Sequence, residues 1–283
     1  MKQKILLLGC GDIGLRLAAR LPEDRYELSG LRRNIAALPT RIKGIQWDLN
    51  DAEGLDQILC GFDVVVVTPV PNSPDEAGYR QTYDRNIKAI VRALESCRRQ
   101  PALVILVSSS RVYHQQEGQW VDEESPCEPW DFRGQSLLAG EQALRQSRLP
   151  HCVVRFSGIY GPGRERMLRQ VRTGNWQQSP ANHNYSNRIH SEDCAGVLAH
   201  LIEGQARGEA LADLYLASDC EPVLQGVVMN WLAEQMGLSF AAPLSAQPKG
   251  GRRCCNRRLV DSGYQFLYPS FREGYAELLG DGG

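Results

Sequence analysis

The stretch that most limits what this chain can become lies near its start, where Ile5-Leu6-Leu7-Leu8 runs directly into Gly9-Cys10-Gly11-Asp12-Ile13-Gly14. The short apolar run reads as a buried strand, and the segment from Ile13 to Leu21 has helical period. Glycines at this spacing also arise at turns and helix ends for structural reasons alone, so context decides. Here a strand precedes, an amphipathic helix follows, and a second strand comes at the expected distance. Gly9 is placed to make the tight turn, Gly11 to let a diphosphate reach backbone N–H groups, and Gly14 to let helix and strand pack closely. Asp12 and Ile13 open the helix, whose N-terminus adds partial positive charge toward the phosphates. A dinucleotide is the implied ligand.

The rest of the chain repeats that alternation. Apolar runs at Tyr26 to Leu31, Ile42 to Trp47, Val64 to Val67, Leu103 to Ser108 and Cys152 to Phe156 are interspersed with helical stretches at Tyr79 to Ser96 and from about Gln135 to Gln146. Continuous Val/Ile/Leu runs, rather than alternating ones, belong to strands covered on both faces, hence to a parallel sheet wrapped by helices. The expected fold class is α/β, a doubly wound parallel sheet of the Rossmann type with a small C-terminal substrate-side region. The rhythm loosens after Phe156, which places the dinucleotide-binding domain at 1–156. Residues 157–283 then hold the last sheet elements, interleaved with a smaller substrate-binding region.

Composition narrows the partners. With 42% hydrophobic and 23% charged residues and a formal net charge of −1, the 283-residue chain has no electrostatic footprint for nucleic acid or an anionic membrane surface. No apolar stretch reaches the roughly 18 residues of a spanning helix, and Ile5 to Leu8 is too short for a signal segment. A cytoplasmic protein with a small-molecule substrate is expected. The nine cysteines, among them Cys10, Cys60, Cys97, Cys152 and Cys194, form no CxxC pair and read as small buried hydrophobes in a reducing compartment.

The end of the second strand bears on which dinucleotide is held. It reads Leu28-Ser29-Gly30-Leu31-Arg32-Arg33, with no acid to accept from a ribose 2′-hydroxyl and two guanidiniums suited to a 2′-phosphate. NADP is therefore expected, with NAD the alternative if both arginines merely cover a loop. Asp48, closing the third strand, either accepts from an adenine amino group or caps a helix.

The ordered series "GFDVVVVTPV", "NIKAIVRALES", "VILVSSSRVYH", "VDEESPCEPWD", "VVRFSGIYGPGR" and "NRIHSEDCAGVLAHLIE" resembles the atypical and extended short-chain dehydrogenase/reductases, the NAD-dependent epimerase/dehydratase family. The resemblance covers nearly the whole chain. It implies a dinucleotide across the carboxyl ends of the strands, with substrate between it and the C-terminal region, and homodimer pairing through the helices after the fourth and fifth strands. Ser109 matches the family's substrate-orienting hydroxyl, with Ser110 its neighbour, although a serine run also caps and turns a strand end. Asn86 resembles the asparagine that steadies its helix beside the active site.

The chain departs from the family on one helix. There a tyrosine acid/base precedes a lysine by four residues, so that both lie on one helical face. With Glu141 setting the register, those positions are Arg133 and Leu137; a shift by one gives Phe132 and Ser136. Tyr113 is a candidate replacement, against a packing role. Tyr160, Arg164 and His190 are candidate substrate contacts, His190 alternatively bonding a backbone group or Asp193. Arg155 and Arg188 either grip an anionic substrate or order loops. Trp176, in an Asn/Gln-rich run, suits either carbohydrate stacking or a polar loop. Two functions stay open: an oxidoreductase or epimerase/dehydratase acting on a small polar, sugar- or nucleotide-linked substrate, and a non-catalytic NADPH-binding module presenting a surface to a protein partner.

Overall fold

The computed structural model describes residues 2–51, 54–174, 176, 179–238 and 249–280. In chain order the elements are β1 Gln3–Leu8, α1 Asp12–Arg20, β2 Tyr26–Arg32, β3 Ile42–Gln46, α2 Leu55–Leu59, β4 Val64–Val67, α3 Glu76–Tyr79, α4 Asn86–Ser96, β5 Leu103–Ser109, β6 Glu117–Val121, α5 Phe132–Arg145 and β7 His151–Phe156. There follow β8 Gly158–Tyr160, α6 Arg166–Arg172, β9 Tyr185–Ser186, β10 Arg188–His190, α7 Ser191–Ala206, β11 Leu214–Ala217, β12 Val223–Leu224, α8 Gln225–Gln235, β13 Gly251–Cys254, α9 Arg257–Asp261 and α10 Phe271–Gly280. A π-helical segment, Arg80–Arg85, joins α3 to α4.

Two units emerge, each built from several stretches of chain. The first comprises Met1–Val112, Cys127–Arg155 and Ala195–Tyr215; the second comprises Tyr113–Pro126, Phe156–Cys194 and Leu216–Gly283. The chain thus crosses between them repeatedly instead of once near Phe156. The physical reason is the sheet: a parallel edge strand needs a crossover connection, and α7 supplies one that returns the chain to β11.

The seven-stranded sheet has the order β11-β7-β5-β4-β1-β2-β3, and the pairings recorded across β5-β4-β1-β2-β3 are parallel. Strand order reverses between β1 and β4. All four valines of β4 are buried, as are Ile5 to Leu8 of β1, so both faces of the central strands are covered. Helix α4 lays Ile87, Ile90, Val91 and Leu94 against that core, a 3–4 spacing that puts them on one face. Helix α5 begins a turn earlier than the expected Gln135 because the Asp131 side chain accepts from the Gly134 N–H at 2.8 Å and caps it.

Cysteine pairing overturns one expectation. Cys60 and Cys97, 37 residues apart, form a disulfide that ties the C-terminal end of α2 to that of α4. The remaining seven cysteines stay outside any disulfide. Among the described residues, no helix is long and apolar enough to cross a membrane.

Candidate functional site

In the first unit a cavity of about 360 Å³ opens where the strand order reverses. Its walls come from the carboxyl ends of neighbouring strands: Gly9 to Gly11 after β1, Leu31 to Asn34 at the end of β2, Trp47 to Asn50 after β3, and Thr68 to Val70 after β4, with Thr82, Asn86, Ile87 and Ile90 behind. Ligands of open parallel sheets settle at such a switch point.

The glycine turn has the shape a dinucleotide needs, although the three glycines are not equivalent. Gly9 takes φ +88°, and a Cβ there would lie 2.4 Å from the Thr68 carbonyl oxygen, so only glycine fits. A Cβ on Gly11 would meet nothing nearer than the Gly9 oxygen at 4.0 Å; its absence leaves the backbone open to approach. Gly14 corrects the expectation of close packing, since a Cβ would make only ordinary contacts of 3.5 to 3.9 Å. No side chain caps α1 at Gly11, and the first-turn N–H groups of a helix lack intrahelical acceptors. An anion is their natural partner. The Asp12 carboxylate is held by Arg16 at 2.8 Å, and Ile13 is buried in the core.

Thr68 is a cavity residue that the sequence reading missed. Its Oγ1 donates to the Gly9 carbonyl at 2.6 Å and so fixes the turn from a neighbouring strand. Its signal was only its place just past the valine run. Arg32 ends β2 and donates from Nη1 to the Cys10 carbonyl at 3.3 Å, which holds the guanidinium over the glycine turn; Arg33 is exposed beside it. Burial pushes the Cys10 thiol up to about 11, with Arg32 opposing, so this cavity sulfur stays protonated near neutrality. Asp48 is exposed, and one carboxylate oxygen accepts from the Asn50 N–H at 3.0 Å, an arrangement that caps a turn. The side-chain amides of Asn86 and Gln81 lie 2.8 Å apart and those of Asn86 and Asn50 3.1 Å apart, linking the start of α4 to the loop after β3.

Further along the same edge, β5 ends at Ser109, whose Oγ accepts from the Arg111 N–H at 3.2 Å, and Ser110 is largely buried in the turn after it. Ser108 points the other way: its hydroxyl donates to Glu141 at 2.5 Å. Glu141 also takes Arg155, through Nε at 3.1 Å and Nη2 at 2.6 Å, and all three side chains are buried. Arg155 is thereby a scaffold cation. Helix α5 carries neither tyrosine nor lysine; Arg133 stacks over the rings of Tyr79 and Phe132 and donates to the Pro74 carbonyl at 3.3 Å.

In the second unit, Tyr113 is buried and its hydroxyl donates to the Asp122 carbonyl at 2.7 Å. Tyr160 is buried in a cluster with Leu168, Val171, Trp176 and Tyr275, stacked on the Tyr275 ring at 4.5 Å. Trp176 is accordingly a core residue and presents no exposed face for a sugar; Asn175, Gln177 and Gln178 around it lie outside the described residues. His190 is fully buried, 4.1 Å from the Tyr268 ring, and its Nδ1 accepts from the Glu192 N–H at 3.3 Å. Asp193 anchors the 264–268 loop, accepting from the Tyr264 hydroxyl and the Leu267 and Tyr268 N–H groups. Arg188 is buried over the Phe271 ring, 3.7 Å from Asp219. Desolvation lifts the Asp219 carboxyl to about 7 despite that guanidinium. Arg164 is exposed after the Gly161–Gly163 turn, its N–H donating to the Gly161 carbonyl at 2.8 Å.

Comparison with known proteins agrees with this fold. The family model of the RmlD substrate binding domain matches residues 3–223. A structure from Methylobacillus flagellatus described as an NAD-dependent epimerase/dehydratase is 34% identical, covers 99% of each chain and superposes with a TM-score of 0.84. The human epimerase family protein SDR39U1, solved with NADPH, is 19% identical, covers 99% of this chain and 100% of that one, and has a TM-score of 0.77. An N-acetyl-alpha-D-glucosaminyl-diphospho-ditrans,octacis-undecaprenol 4-epimerase of Escherichia coli O157:H7 is 24% identical over 219 residues, 74% of this chain, which spans 66% of that relative's length.

Proposed function

This chain belongs to the RmlD substrate binding domain family, within the atypical short-chain dehydrogenase/reductases of epimerase/dehydratase type, and we propose that it binds NADP and acts on a small polar, sugar- or nucleotide-linked substrate. The observation that carries the reading is the cavity at the β1–β4 switch point, with an uncapped helix N-terminus at Gly11 and two arginines, no acid, at the end of β2.

The backbone around Gly11 and the first turn of α1 hold the diphosphate, while Arg32 and Arg33 take the ribose 2′-phosphate as charge-assisted donors. Asp48 keeps an oxygen for the adenine amino group. When bound, the cofactor supplies hydride exchange at the nicotinamide ring. Ser109 donates to a substrate oxygen, with Ser110 setting the turn that presents it. Among the second unit's candidates, Arg164 is an exposed cation of the kind that suits an anionic substrate group, whereas Tyr160 and His190 are buried. Tyr113 is left out of proton transfer because its hydroxyl is committed to Asp122.

Calorimetry with NADPH and NADH tests the cofactor, and a panel of carbonyl and sugar-nucleotide substrates, followed by absorbance of the reduced nicotinamide, tests the chemistry. Binding of NADPH well above NADH and turnover on a panel member are expected; absence of binding by either dinucleotide overturns the reading. One observation favours a second reading, an NADPH-binding module that presents a surface to a protein partner: α5 contains no tyrosine–lysine pair. NADPH binding without turnover, together with a partner whose affinity changes on adding NADPH, would establish it.

A further inference from the structure

The Cys60–Cys97 disulfide lies outside the functions assigned so far, yet it encloses much of the cavity wall. The loop it closes contains β4, the turn that follows, and the whole of α4, and so carries every cavity residue from Thr68 to Ile90. Its other anchor, α2, is a single five-residue helix. A helix that short does not persist on its own hydrogen bonds; Leu55 and Leu59 hold it against Ile90, Val91 and Leu94 of α4. The Trp47–Asn50 wall is joined to α4 by the Asn50–Asn86 contact. Helix α4 thus carries the cavity residues Asn86, Ile87 and Ile90 at one end and, at the other, the disulfide that ties it to α2.

The two sulfurs differ in access. Cys60 is exposed, whereas Cys97 is buried, with its Sγ 3.4 Å from the Ala93 carbonyl oxygen, an acceptor already in place for a thiol. We propose that Cys60–Cys97 is a thiol–disulfide exchange site whose substrate is a small thiol such as glutathione, and that its reduction loosens the dinucleotide cavity. A glutathione thiolate attacks the exposed Cys60 Sγ, the S–S bond breaks, and Cys97 leaves as a thiolate that takes up a proton and donates to Ala93. A second glutathione attacks the mixed disulfide on its glutathione sulfur and releases Cys60. Two thiols are oxidised to glutathione disulfide while the protein disulfide is reduced, and the reverse sequence closes the latch.

The part concerning affinity rests on the dinucleotide reading above, so the test uses two readouts. The full chain is equilibrated in oxidising and reducing glutathione buffers, the state of each cysteine is read by alkylation and mass spectrometry, and NADPH affinity is titrated in both. Reduction is expected to weaken NADPH about fivefold or more, the lower range of ordinary coupling between sites. Cys60→Ser is expected to show the weaker affinity in both buffers. Hydrogen exchange of Leu55–Leu59 and Asn86–Ser96, measured without cofactor, should quicken on reduction. Equal affinity and equal exchange in the two states, or Cys60 and Cys97 both found as thiols in the oxidising buffer, overturn the proposal. So does a redox response surviving in Cys60→Ser, which would trace to another thiol such as Cys10. If neither pyridine nucleotide binds in either buffer while the exchange difference persists, the dinucleotide reading fails and the latch stands.

Discussion

Arg32 and Arg155 sit near the carboxyl ends of strands in one sheet, β2 and β7, yet they live in opposite environments. Arg155 is buried against Glu141, which Ser108 also supports, and its guanidinium has no capacity to spare for a ligand. Arg32 touches one backbone carbonyl and otherwise faces the cavity, and Arg33 beside it is exposed; among the described residues neither is paired with a carboxylate. The same side chain is internal framework where an acid is buried with it and is left facing a cavity where none is. Sequence position at a strand end does not distinguish the two cases; the partner does.

The largest expected effect breaks the buried pair. Glu141→Ala strands the Arg155 charge and should lower unfolding free energy by about 3–5 kcal/mol in denaturant titrations, whereas Glu141→Leu with Arg155→Met should recover most of the loss. If the single variant melts like the wild type, the contrast between the two arginines dissolves.

On the open side, Arg32→Ala with Arg33→Ala should leave unfolding nearly unchanged while weakening NADPH about 10- to 100-fold, as charge-assisted bonds worth roughly 1.5–3 kcal/mol are lost. NADH affinity should move by no more than about twofold, since it lacks the 2′-phosphate. Equal losses for both dinucleotides would mean that the arginines serve the loop alone.

A third arginine, Arg188 in the second unit, sharpens the point through its partner. Asp219 titrates near 7 when folded against an ordinary 3.8, so between those values the native state holds a proton that the unfolded chain has released. Its contribution to stability is complete below 3.8 and is lost as pH rises through about 7. Relative to Asp219→Asn, the wild type should therefore lose stability in urea between pH 4 and pH 7; parallel curves would place the carboxyl in a better-solvated setting. The smallest effect concerns the glycine turn. Gly14→Ala should change stability by at most about 1 kcal/mol, in the stabilising direction set by helix propensity. Gly11→Ala, its thermal midpoint unchanged, should lose dinucleotide affinity by calorimetry.

The fold was legible because each central strand is a continuous apolar run and each run is followed by a turn or a helical period. The cavity was half legible: Gly9, Gly11 and the arginines of β2 advertise themselves locally, whereas Thr68 acts through a hydrogen bond to a residue 59 positions away. Long-range partners hid the rest. Nothing near Arg155 or Arg188 in sequence announces Glu141 or Asp219, and nothing in the spacing of nine cysteines marks Cys60 and Cys97 as neighbours. Trp176 misled because its polar surroundings in the chain are not its surroundings in space, where it joins Tyr160 and Leu168 in an apolar cluster.

The interleaving of the two units has a consequence for how the molecule is made. The edge strand β11 is Leu214–Ala217, so a ribosome delivers β7 and then the whole of the second unit's middle stretch before the sheet's last strand exists. Biosynthesis cannot finish one unit and then begin the other. A nascent chain halted near Phe156 exposes the apolar flank of β7 as a bare template for intermolecular pairing. Shortened versions ending there should aggregate during expression.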